Sequence, residues 1–102
     1  MVSIFENLIN IVRKRKSKPV LGSYTNKLLE NRSFCKEKVL EEINELIEAV
    51  EKDTNKVHEA ADVIYHLMVF LEANDIKIED IMNELDKRNK WVTITTTFLQ
   101  KS

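Results

Sequence analysis

The chain has one glycine, one proline and one cysteine in 102 residues, and each scarcity removes a class of protein. A single Gly and a single Pro leave too little turn material for a series of β-hairpins, and none for a glycine loop that cradles phosphate. The lone Cys35 cannot form an internal disulfide, and no set of thiols exists to hold structural zinc. Such usage fits a reducing, cytoplasmic setting. A surplus of one charge sign is also missing: sixteen Lys and Arg face seventeen Asp and Glu, a formal charge of −1. That balance gives no global attraction for nucleic acid or for an anionic membrane, so neither is an expected partner. Long apolar runs are missing too. Glu6 and Asn7 interrupt the N-terminal residues before they could form a signal-peptide core. The run Val63–Leu71 is broken by His66 and falls far short of the roughly 20 residues of a membrane span.

What remains is a chain that is 43% hydrophobic and 32% charged, the composition of one globular domain. A domain of this size buries only about two thirds of its unfolded surface, so its apolar supply predicts a homo-oligomer. Phe5, Leu8, Ile9 and Val12 recur at helical spacing and lead into the basic stretch Arg13–Lys16; Pro19 and Gly22 then mark a loop. Ser23–Asn31 reads as a short helix capped by Ser23 or Thr25, and Asn31–Ser33 as a turn. From about Phe34 to Lys52, Val39, Ile43, Leu46, Ile47 and Val50 form one apolar stripe. Asp53, Thr54 and Asn55 supply turn and capping chemistry for a second long helix from about Lys56 to Ala73. Apolar residues cover most of that helix, which predicts burial on nearly all sides. Ile78, Ile81, Met82 and Leu85 give a further amphipathic helix ending near Asn89. The expected fold is all-α, an antiparallel bundle of four to five helices over residues 1–90. Residues 91–102 form a β-branched tail that either packs as an extended arm or frays.

One narrow polar stripe runs along the apolar second long helix: Glu59, Asp62 and His66, spaced three and four residues apart. Neighbouring carboxylates in apolar surroundings are costly unless they share a proton, pair with bases or coordinate a metal. Glu42 and Glu45 lie three apart on the preceding helix, at the shoulder of its apolar stripe. If the two helices pack antiparallel across the turn near Asp53, these four carboxylates converge. Hard oxygen ligands without thiols select Mg²⁺ or Mn²⁺. Competing roles exist for each residue. Glu41, Glu42, Glu45 and Glu48 could form a solvated face, His66 a hydrogen-bonded core position, and Lys38 an ordinary ion pair with Glu42 four residues on. The basic run at Arg13–Lys16 is either a solvated helix end or a phosphate contact. Tyr24 and Trp91 could stack on a base or simply pack, and Cys35 reads as a small buried hydrophobe.

The pattern Glu41-Glu42-x-x-Glu45, thirteen residues, then Glu59-x-x-Asp62, resembles the metal-binding signature of the all-α, MazG-like nucleoside triphosphate pyrophosphohydrolases. Three flanking words narrow the likeness: Ser23-Tyr24-Thr25, Lys38-Val39-Leu40-Glu41-Glu42, and Glu59-Ala60-Ala61-Asp62-Val63-Ile64-Tyr65-His66-Leu67. Together they resemble the phosphoribosyl-ATP pyrophosphohydrolases of histidine biosynthesis, over roughly residues 4–89. Leu40 stands where that family usually has Gly. The resemblance implies a dimeric or tetrameric enzyme that uses Mg²⁺ to hydrolyse phosphoribosyl-ATP to phosphoribosyl-AMP and pyrophosphate. It implies metal ligands at Glu42, Glu45, Glu59 and Asp62, and a base at Glu41 or Glu45. Substrate contacts are expected at Lys38, Tyr24, Lys27, Arg32 and His66, with the Arg13–Lys16 run a further phosphate clamp. Two other readings stay open. One is a MazG-like or dUTPase-like enzyme acting on ordinary or aberrant nucleoside triphosphates; the other is a non-catalytic helical interaction module. A di-iron bundle is disfavoured, because it wants Glu-x-x-His pairs and His66 follows Asp62 by four.

Overall fold

The computed structural model describes residues 2–88, and these are helical, with no strand among them. Helix α1 spans Val2–Ser17, α2 Tyr24–Glu30, α3 Arg32–Lys52 and α4 Lys56–Ala73, and a fifth helix, α5, covers 78–88. The all-α expectation holds. Trp91 and the tail 91–102 lie outside the described residues, as does the end of α5.

Local chemistry explains where the helices begin. Ser23 is extended and its hydroxyl accepts from the Asn26 amide, so Ser23 rather than Thr25 caps α2. Gly22 precedes it at φ +81°, a left-handed turn that a Cβ would strain. The Asn26 side chain then pins the loop: its Oδ1 accepts from Val20 N–H at 2.9 Å, and its Nδ2 donates to the Arg15 carbonyl at 2.8 Å. The turn expected at Asn31–Ser33 shrinks to one residue. Asn31 closes α2 and caps α3, its Oδ1 accepting from Phe34 N–H at 3.0 Å, so Arg32 and Ser33 are already helical. At the far end of α3, Asp53 turns left-handed and Thr54 N–H returns to the Ala49 carbonyl at 2.9 Å, which ends the helix sharply. Asn55 occupies the cap position of α4 in a left-handed conformation that makes no side-chain capping bond, contrary to the capping role its residue type suggests.

Turn 53–55 folds α4 back along α3, and this antiparallel pair is the frame of the molecule. Val12, Leu28, Cys35 and Val69 are fully buried where α1, α2, α3 and α4 meet, with Leu29, Phe34, Tyr65 and Phe70 packed around them. The other side of the frame is open. Val57 is 85% exposed, and Ile64 and Leu67 on α4 join Ile43, Ile47 and Val50 on α3 as exposed apolar side chains. The expectation of a helix buried on nearly all sides is therefore corrected for the single chain: α4 covers one flank with its own fold and leaves another bare.

Candidate active site

The α3–α4 hairpin brings the predicted carboxylates together. One oxygen each from Glu42, Glu45 and Glu59 lies within 4.8 Å of the others. Glu42 is only 6% exposed, and the Oε2 atoms of Glu42 and Glu59 are buried with no hydrogen-bond partner. Desolvation pushes the Glu42 carboxyl above its ordinary range, and the negative charge of Glu45 pushes the same way. The Glu59 carboxyl is raised by the same two causes in the same order. Asp62 does not join that trio. With His58 and Glu59 it forms an overlapping group, again within 4.8 Å, and His58 Nε2 stands 3.4 Å from Asp62 Oδ2. Glu59 is the member shared by both. His58 escaped the sequence reading, although its place four residues before Asp62 on one helix face was the available signal.

The basic candidates separate. Lys38 stays with the carboxylates, its Nζ 3.2 Å from Glu41 and 3.8 Å from Glu42. Glu41 is exposed, belongs to neither acidic group and serves as the closer partner of Lys38. Lys27 Nζ sits 4.7 Å over the Phe34 ring. Arg32 lies in the first turn of α3, on the order of 15 Å along the helix from Glu42. The α1 run points elsewhere still. Arg13 donates to Glu79 at 2.8 and 2.5 Å and to Glu72 at 3.2 Å, while Lys16 reaches the Glu72 carbonyl at 2.6 Å and Asp75 at 2.5 Å. Glu72 lies roughly 20 Å along α4 from Glu59. Arg13 and Lys16 thus form a clasp joining α1 to the far end of α4 and to α5, and not a clamp at the carboxylates.

Tyr24 and His66 are brought together by α2 lying against α4. The Tyr24 hydroxyl is 2.8 Å from His66 Nε2, and His66 Nδ1 is 2.7 Å from the Asp62 carbonyl oxygen. Next to them, Thr25 Oγ1 and the Tyr65 hydroxyl are 2.6 Å apart. His66 is buried, as a core histidine would be, yet Glu42 is near enough for the two to interact electrostatically. A concavity of about 540 Å³ opens on the neighbouring α1–α2 loop, lined by Val20, Leu21, Tyr24 and Lys27 among others. None of the acidic residues lines it.

Three acidic side chains crowded with two bare buried oxygens form a site short of positive charge, and the donor set consists of hard oxygen without thiols. It fits a small divalent cation better than a structural role, since unpaired buried carboxylates cost stability. The span of the resemblance matches what known proteins contain. The family model described as phosphoribosyl-ATP pyrophosphohydrolase matches residues 5–89. A phosphoribosyl-ATP pyrophosphatase of Clostridium acetobutylicum is 46% identical over 91 residues, covering 85% of this chain and 82% of that protein. One from Methanococcoides burtonii is 39% identical over 93 residues, 85% of this chain and 93% of its own length. The histidine biosynthesis bifunctional protein HisIE of Pyrococcus furiosus is 44% identical over 90 residues, which are 87% of this chain but 43% of the larger protein. With a match across most of its length, the chain belongs to the phosphoribosyl-ATP pyrophosphohydrolase family of hydrolases.

Proposed function

We propose that the chain hydrolyses phosphoribosyl-ATP between the α and β phosphates, giving phosphoribosyl-AMP and pyrophosphate, with Mg²⁺ as the cofactor and Mn²⁺ an alternative. The observation that carries this reading is the meeting of Glu42, Glu45 and Glu59 with two buried oxygens left without donors. Glu42 and Glu59 are the first choices as metal ligands, with Glu45 and Asp62 completing the set. A divalent ion held there would neutralise phosphate charge and make a bound water more acidic. The chain's own groups do the rest. Carboxylates alone repel a polyphosphate, so Lys38, the cation nearest Glu42, is suited to donate to a phosphate oxygen. The proton of the attacking water goes to a carboxylate oxygen that is not fully used in binding metal. Glu45 suits that part better than Glu41, which lies outside both acidic groups and pairs with Lys38.

The working unit in this reading is a cytoplasmic homodimer or homotetramer. Its support is the exposed apolar flank formed by Ile43, Ile47, Val50, Val57, Ile64 and Leu67 beside the carboxylates. Pyrophosphate release from phosphoribosyl-ATP by the purified protein, and its loss on Glu59→Gln, tests the assignment. Activity that survives both Glu59→Gln and Glu42→Gln would overturn the site.

A further inference from the structure

The partners of His66 leave a single arrangement of protons. Its Nδ1 lies 2.7 Å from the Asp62 carbonyl oxygen, and a carbonyl only accepts, so Nδ1 carries a proton. The ring is 5% exposed, and both of its hydrogen-bond partners are uncharged, so burial favours the neutral imidazole. Nε2 is then a bare lone pair, and the Tyr24 hydroxyl, 2.8 Å away, donates to it.

The consequence falls on the Tyr24 oxygen. Its only proton is committed inward, and acceptor capacity alone is left facing outward. The side chain is 43% exposed, yet its ring is held: it stacks on Tyr65 with centroids 6.4 Å apart and meets His66 edge-on at 5.7 Å. The adjacent Thr25–Tyr65 bond fastens the same turn of α2 to α4. The oxygen borders the acidic site, where the charges of Lys38, Glu42 and Glu41 act on it. Lys38 itself is engaged with Glu41. A phosphate oxygen, which needs a donor, has nothing to gain from such a group.

We propose that Tyr24 is a specificity-determining residue whose oxygen accepts a hydrogen bond from a neutral donor on the nucleotide, a sugar hydroxyl or the exocyclic N–H of the base. His66 is its positioning residue, fixing both the direction of the hydroxyl and its proton. The proposal rests on the carboxylates being a nucleotide site, and it moves Tyr24 and His66 away from phosphate binding and from base stacking alike.

Two measurements test it. In ¹⁵N–¹H spectra of the metal-free protein, the neutral His66 ring should carry its proton on Nδ1 with Nε2 bare; a proton on Nε2 overturns the proposal. In steady-state kinetics with phosphoribosyl-ATP and Mg²⁺, Tyr24→Phe should raise KM roughly five- to tenfold and leave kcat within about twofold. Analogues lacking one sugar hydroxyl each identify the donor. If the Tyr24→Phe penalty vanishes with one analogue, that hydroxyl is the donor; if it persists with all of them, the donor is the exocyclic N–H. His66→Gln, which keeps an acceptor for Tyr24, should raise KM less than His66→Leu. An unchanged KM in Tyr24→Phe, or equal effects of His66→Gln and His66→Leu in folded variants, overturns it. Should the wild type turn over no nucleotide, the functional reading fails and the substrate half of the proposal falls with it, whereas the proton on Nδ1 is read without substrate.

Discussion

Glu42 on α3 and Glu59 on α4 meet across the helix hairpin, each with a buried Oε2 that no donor reaches. A fold that tolerates two such atoms at one spot carries a local instability, because desolvation and the charge of Glu45 both disfavour the ionised forms. That instability is the cost of holding a site ready for a cation. At neutral pH without divalent metal, Glu42→Gln and Glu59→Gln should each raise Tm by roughly 3–6 °C. Saturating Mg²⁺ should stabilise the wild type by roughly 5 °C or more and do little for either variant. Thermal scans with Mg²⁺ and with a chelator check this, and a wild type indifferent to Mg²⁺ would contradict it.

Much of this site could be read from the chain. Helical spacing placed Glu42 beside Glu45 and Glu59 beside Asp62, and the polar turn at Asp53 implied that the two helices fold back on each other. Spacing alone does not report how far one helix slides past the next. The sequence therefore put four carboxylates in one group, whereas Asp62 belongs with His58 and touches the trio only through Glu59. The Arg13–Glu79 contact was out of reach for the same reason, since it depends on where α1 crosses the end of α4. Apolar residues around α4 read as full burial because periodicity does not distinguish a face covered by its own fold from one left for another chain. At Asn31, one residue does the work of the expected three-residue turn, because its extended backbone reverses the chain while its side chain caps α3.

The clasp between α1 and α5 predicts a pH response. Hydrogen bonds from Arg13 pull the Glu79 carboxyl from an ordinary 4.5 down to about 2. A carboxyl lowered on folding contributes stability above its unfolded value, and that contribution disappears as pH falls from about 4.5 toward 2. Tm should be lower in Glu79→Gln than in the wild type at pH 7, and the two curves should converge through that window. Curves that stay parallel to pH 2.5 would show that the pair adds nothing.

The exposed apolar flank predicts self-association. Ile47 is 51% exposed on α3, beside Ile43 and Val50. Wild-type protein should sediment as a dimer or tetramer, and Ile47→Lys should shift it to monomer with its helical circular dichroism intact. A monomeric wild type at micromolar concentration would contradict the oligomeric reading.

Cys35 is fully buried among Val12, Leu28 and Val69, and burial pushes its thiol pKa up. Alkylation by iodoacetamide at pH 8 should be slower in the folded protein than in urea by roughly two orders of magnitude, following global opening. Labelling at equal rates would show that the core opens far more readily than its packing allows.

The most direct test is pyrophosphate release with Mg²⁺, run side by side on phosphoribosyl-ATP and a panel of ordinary ribo- and deoxyribonucleoside triphosphates. The account predicts strong preference for phosphoribosyl-ATP, lost by at least about a thousandfold in Glu59→Gln, as expected when a group that holds the reacting phosphates is removed. Comparable turnover of the whole panel would contradict the substrate assignment, and no turnover of any nucleotide would contradict the enzyme itself.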